Sequence, residues 1–95
     1  MDITKLNRIL NKIAQDNGLS NVPIIVLRDF GPRGQYSHSM NTIFINAKQN
    51  TFVSIVLVLA HELFHANDSI FDGKNLRELR ANIFMMQYSK NYGTL

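Results

Sequence analysis

From Phe52 onward the chain reads as a helix that is apolar on nearly every face, and Ser54 is its only polar residue before His61. A helix apolar all round has no side to turn toward water, so it must lie inside the fold with other elements packed about it. Asn50 or Thr51 is suited to cap its start. The stretch from Phe52 to Ala60 falls well short of the about 20 residues that cross a bilayer, so it is a core helix and not a membrane segment. The first strongly polar side chains it presents are His61, Glu62 and His65. Three ionisable groups at the end of a buried helix need a partner, because their burial alone is costly.

The other elements must cover this helix. Leu6, Ile9, Leu10 and Ile13 recur at helical spacing between Thr4 and Asn17, and Gly18 supplies a stop, which predicts an amphipathic first helix. Val22–Arg28 is rich in β-branched residues, with Pro23 near its start, where a strand tolerates a missing donor. Gly31-Pro32-Arg33-Gly34 is turn chemistry, Gln35–Ser39 suits a short second strand, and Thr42–Asn46 is a compact third. These three strands predict a small, mostly antiparallel sheet. Asn67–Lys74 reads as a loop, and a last helix follows from Asn75 to about Lys90, with Leu76, Leu79, Ile83 and Met86 spaced for burial. No linker, repeat or low-complexity segment divides the 95 residues. The expectation is one α+β domain spanning residues 1–95.

His61-Glu62-Leu63-Phe64-His65 is a His-Glu-x-x-His pattern. Histidines four apart on a helix project from one face about one turn apart, so both imidazoles reach one cation. Glu62, one residue on, is placed to approach a water at an open coordination position. Zinc lowers the pKa of such a water toward ~7, and the carboxylate accepts its proton as it attacks a carbonyl. Each residue type has its own task, which makes the pattern more specific than a histidine pair.

A catalytic zinc site normally takes three protein ligands, so a third is required. Glu78 is the first choice, because a helix ending soon after His65 and another beginning at Asn75 bring the end of one beside the start of the next. Asn75-x-x-Glu78 also resembles a capping box, the competing role for that carboxylate. Asp68, Asp72 and His38 are weaker alternatives. Asn82 shares a face with Glu78 and is a candidate acceptor for the outer N–H of a ligating imidazole.

The formal net charge is +3, and the ten Lys and Arg are scattered apart from the pair Arg77 and Arg80. A nucleic-acid surface is therefore not indicated; Arg28, Arg33, Arg77 and Arg80 would have to supply it. The absence of cysteine excludes a disulfide framework and thiolate-bound zinc. The N-terminal residues lead into an amphipathic pattern, not an apolar signal core, so a soluble cytoplasmic protein is expected.

Taken together, Gly34-Gln35-Tyr36, Asn41-Thr42-Ile43-Phe44-Ile45-Asn46, Leu59-Ala60-His61-Glu62-Leu63-Phe64-His65 and Glu78-Leu79-Arg80-Ala81-Asn82-Ile83-Phe84 resemble, in order, the ImmA/IrrE-type metallopeptidases of bacteria and phages. The last segment resembles that family's Glu-x-Glu-Ala-Asn-x-Phe signature. The resemblance implies a small zincin-like, gluzincin-type domain with Zn2+ on His61, His65 and Glu78. It also implies cleavage of a peptide bond, often in a helix-turn-helix repressor of a phage or mobile element. Two residues depart from the family pattern. Phe64 replaces a Gly and is expected to narrow the cleft, and Arg80 replaces an acidic residue and alters local charge. No appended DNA-binding or sensor domain is expected.

The expected mechanism has Glu62 as general base, with Tyr36 or His38 as candidate donors to the developing oxyanion. Thr42–Asn46 is expected to be the edge strand along which an extended peptide lies. The departures at Phe64 and Arg80 motivate a second reading, a non-cleaving protein-binding module on the same zinc-site scaffold.

Overall fold

The computed structural model describes residues 2–68 and 73–92, with side chains as far as Tyr88. Helix α1 spans Ile3–Asp16, and the Asp2 carboxylate caps it by accepting the Thr4 N–H at 2.9 Å. At the other end Gly18 adopts φ +64, and the Leu19 N–H returns to the Ala14 carbonyl at 2.9 Å. That left-handed residue satisfies carbonyls the helix would otherwise leave open. Leu6, Leu10, Ile13 and Ala14 are buried, the face the periodicity predicts.

Strands β1 (Ile24–Arg28), β2 (Gly34–Ser37) and β3 (Thr42–Asn46) form one sheet in the order β1-β3-β2. The sheet is mixed, not mostly antiparallel: β3 runs parallel to β1 and antiparallel to β2. The reason lies in burial. Ile43 and Ile45 are fully buried on the inner face, while Thr42 and Asn46 are buried on the other. A strand covered on both sides belongs in the middle, whereas Ile24, 67% exposed, marks β1 as an edge. The segment from Asp29 to Asn41, β2 included, is long enough to serve as the crossover that a parallel pair requires. Thr42–Asn46, expected to be an edge, is therefore the central strand, and β1 and β2 are the edges.

A 3-10 turn at Ala47–Gln49 leads into α2 (Phe52–Asn67), which Thr51 caps by accepting the Ser54 N–H at 3.2 Å. Ile55, Val56, Leu59, Ala60 and Leu63 of α2 are fully buried. Each large member of that set contributes roughly 1.5–3 kcal/mol through burial. Helices α1 and α2 pack together on the inner face of the sheet, and α3 (Lys74–Tyr92) packs along α2. On the outer face, the Arg28 guanidinium lies over Phe44 and Phe30, 4.6 and 5.1 Å from their ring centroids.

Helix α3 is rotated from its expected setting. Ala81 and Phe84 are buried, whereas Leu76, Leu79, Ile83 and Met86 are 48–62% exposed. The apolar residues spaced for burial lie on the side away from α2, and the helix turns Glu78 toward the histidines of α2 instead. Among the described residues, no helix is long and apolar enough to cross a membrane.

Candidate metal centre

The helix period makes the first part of the site. His61 and His65 project from one side of α2 near its C-terminal end, with their Nε2 atoms 3.1 Å apart. The small Ala81 of α3 lies buried in the core. One turn before it, Glu78 places Oε2 3.2 Å from His61 Nε2 and Oε1 2.9 Å from His65 Nε2. Helix α3 begins at Lys74, so Asn75 lies inside it and does not form a capping box with Glu78. Both oxygens of this carboxylate face imidazoles.

These three residues form a group able to hold a metal ion, with their ligand atoms all within 4.8 Å of one another. A tetrahedral ion with bonds of 2.0–2.1 Å keeps its ligands about 3.3 Å apart. The imidazole nitrogens are 3.1 Å apart and each meets a different oxygen of Glu78, at 3.2 and 2.9 Å, so a modest adjustment of the carboxylate would bring one of its oxygens to a shared ion. The donor set, two neutral-capable imidazoles and one carboxylate, also suits a borderline divalent cation.

Glu62 lies beside this group and is only 8% exposed. Burial pushes its carboxyl up to about 7, the Glu78 charge adds to the rise, and a hydrogen bond from the Tyr36 backbone opposes it. A carboxyl near neutrality is suited to accept a proton and return it. Burial holds the His65 imidazole below its ordinary value, as do His61 and Arg77, while Glu78 acts in the other direction. A neutral imidazole is the form that binds a metal.

Strand β2 forms the facing wall because Gly34 lets it approach α2 closely. A Cβ at Gly34 would meet Val58 Cγ1 at 2.1 Å, so a side chain there must push the strand away. The resulting open cleft of about 450 Å³ is lined on one side by Gly34, Gln35, Tyr36 and His38, and on the other by Lys74, Arg77 and the His-Glu group. The Asn46 N–H donates to the Arg33 carbonyl at 3.1 Å. By the alternation of an antiparallel ladder, Gln35 and Ser37 also face β3, so the main-chain groups of Gly34 and Tyr36 face the open edge.

The other candidates are distributed differently. Asp68 is engaged by Arg80, whose Nε donates to its Oδ2 at 2.9 Å, so it joins α2 to α3 and stands outside the metal group. His38 is exposed and meets Tyr36 edge-on, 4.7 Å between ring centroids. Tyr36 lines the cleft, but its hydroxyl donates to Asn41 Oδ1 at 2.7 Å. Asp72 lies outside the described residues. Asn82 is exposed, and no hydrogen bond among the described residues ties it to either imidazole, because the rotation of α3 carries it away from them. Phe64 does not narrow the cleft. It packs on Phe84, 5.2 Å between ring centroids, on the side of α2 that meets the core face of α3.

Three features have no counterpart in the sequence reading. Lys74 and Arg77 line the cleft. Lys74 stands four residues before Glu78 and so shares its helix face, a signal that was available, whereas Arg77, one residue before, lies about 100° round the helix and gave none. Asn21, Asn41 and Asn67 form an amide network. Asn21 and Asn41 exchange bonds of 3.0 and 2.9 Å, while Asn67 Nδ2 donates to the Asn21 carbonyl at 2.9 Å and Asn21 Nδ2 to the Ala66 carbonyl at 3.0 Å. This network ties the end of α2 to the turn before β3, where Asn41 has φ +47. Comparison with protein-family models, curated proteins and solved structures finds no match for this chain.

Proposed function

We propose that this chain is a zinc-dependent metalloendopeptidase, with Zn2+ held by His61, His65 and Glu78 and with Glu62 as general base. The observation that carries the reading is the convergence of three ligand-type atoms from two helices, with a buried carboxyl of raised pKa beside them. Zinc there would supply a water of lowered pKa and polarise the scissile carbonyl. Glu62 takes the proton from the water and delivers it to the leaving amine. The open edge of β2 accepts an extended peptide through main-chain groups of Gly34 and the Tyr36 carbonyl. The Tyr36 N–H meanwhile orients the Glu62 carboxylate.

The zincin-like character of the fold and the likeness to ImmA/IrrE-type peptidases belong to the same proposal, on the four segments quoted above. So does the substrate class they imply, a repressor or other regulatory protein of a phage or mobile element, met in the cytoplasm. The alternative of a non-cleaving binder drew on Phe64 and Arg80. The first packs on Phe84 and the second pairs with Asp68, and neither lines the cleft that holds the His-Glu group.

The test is proteolysis of a mixed peptide library, followed by mass spectrometry. The zinc-loaded chain is expected to cut peptides, Glu62→Gln to retain zinc without cutting, and His65→Ala to lose both. Undiminished cleavage by Glu62→Gln would overturn the general-base assignment. Tight binding of intact peptides by the zinc-loaded wild type would favour the binder.

A further inference from the structure

The two walls of the cleft differ in charge. The β2 wall presents Gly34, Gln35 and Tyr36 with the imidazole of His38 beyond them, while the α3 wall presents the cations Lys74 and Arg77. Arg77 is half-buried, and its Nε is shut off from solvent with no hydrogen-bond partner. Its nearest acidic neighbour in sequence cannot serve, because both oxygens of Glu78 face imidazoles. Asp68 is held by Arg80. Among the described residues no carboxylate pairs with Arg77 or Lys74. With its Nε shielded and no carboxylate beside it, the guanidinium has its terminal nitrogens left to meet a negatively charged ligand entering the open cleft. Its planar fork matches a carboxylate in bidentate fashion, with the flexible ammonium of Lys74 one turn away to reinforce the charge.

Building on the peptidase reading, we infer that Arg77, assisted by Lys74, makes this cleft selective for peptides carrying a carboxylate close to the bond that is cut. The carboxylate comes either from an Asp or Glu side chain or from a free C-terminus. Arg77 is thus a specificity residue that acts on the substrate directly and needs no part in holding the metal. A charge-assisted pair of this kind corresponds to about a ten- to hundredfold difference in affinity.

The experiment measures fluorescence-polarisation binding of labelled peptides to the full zinc-loaded chain carrying Glu62→Gln, which separates binding from cleavage. Three peptides share one apolar sequence: one with an internal Glu and an amidated end, one with a free C-terminal carboxylate, one neutral and amidated. One of the two carboxylate peptides is expected to bind at least tenfold tighter than the neutral one, and which of them does so identifies the source. Adding Arg77→Met should abolish that advantage while one equivalent of zinc is still taken up. Lys74→Met, at an exposed position, should reduce it in part. Equal affinities for all three peptides, or an advantage that survives Arg77→Met in a zinc-loaded protein, overturn the inference. Wild-type cleavage of the neutral peptide at the same rate as the others overturns it too, and leaves the peptidase reading standing. Arg77-dependent binding without cleavage of any peptide supports the inference and sinks the peptidase reading.

Discussion

At the scale of single residues, Glu62 is held in a place that disfavours its charge. With its carboxyl raised from 4.5 to about 7, the folded protein binds this proton more tightly than the unfolded chain does. Stability of the metal-free protein therefore falls as pH rises from about 4.5 to about 7, and the loss is complete above that window. His65 acts in the opposite sense: its lowered imidazole favours the neutral form, so its contribution is lost as pH falls below 6.5. Comparing wild type with Glu62→Gln isolates the first effect. In metal-free urea denaturation the variant should be the more stable at pH 8, by on the order of 3 kcal/mol. That gain should vanish near pH 4; a gain independent of pH would contradict the burial argument. Gly34 offers a second test at this scale. Gly34→Ala should cost about 1–3 kcal/mol through overpacking against Val58. Combining it with Val58→Ala should be less damaging than the sum of the two changes, because the clashing Cγ1 is gone. The histidine pair and Glu62 were legible in the sequence because each follows from the helix period. Arg77 and the Asn21–Asn41–Asn67 network were not, since a lone cation or amide leaves no periodic trace.

At the scale of elements, α3 shows where periodicity misleads. Leu76, Leu79, Ile83 and Met86 make a regular apolar stripe, yet a second face runs through Arg77, Ala81, Phe84 and Tyr88. The helix adopts the second because it carries Glu78 to the imidazoles, and Phe84 stacks between Phe64 and Tyr88. Phe84→Ala should therefore cost about 3–5 kcal/mol in urea unfolding. Leu79→Lys, on the exposed face, should stay within about 0.5 kcal/mol of wild type. The reverse ranking would mean that α3 sits in its expected setting after all. Strand positions were read well, and Thr42–Asn46 agrees at both ends. Strand order was not, since alternation within a strand says nothing about which neighbour it takes. A closer signal was present in Thr42-Ile43-Phe44-Ile45-Asn46, whose side chains on both faces are large enough to need cover.

At the scale of the whole molecule, an ion held by His61, His65 and Glu78 would add a clasp between α2 and α3, which already pack through Phe64 and Phe84. The Asp68–Arg80 pair fastens the same junction. Ion binding to the folded state alone adds about 4 kcal/mol at a thousandfold excess over the dissociation constant. In a domain of this size that amounts to a rise in Tm of more than about 10 °C. Zinc should produce that rise in the wild type and in Glu62→Gln, chelation should reverse it, and His65→Ala should not respond. The α+β class and the single core were legible from the apolar helix and the patterned segments around it. The closeness of α2 to α3 was legible only as a requirement, since it rests on a third ligand that the histidine pair demands.

One ion shared by α2 and α3 would show directly in a calorimetric zinc titration of the metal-free chain. The wild type and Glu62→Gln should each bind one equivalent, with affinity reduced more than about a hundredfold in Glu78→Gln and His65→Ala. A wild type that binds no zinc, or a Glu78→Gln variant that binds it as tightly as the wild type, would contradict the shared site.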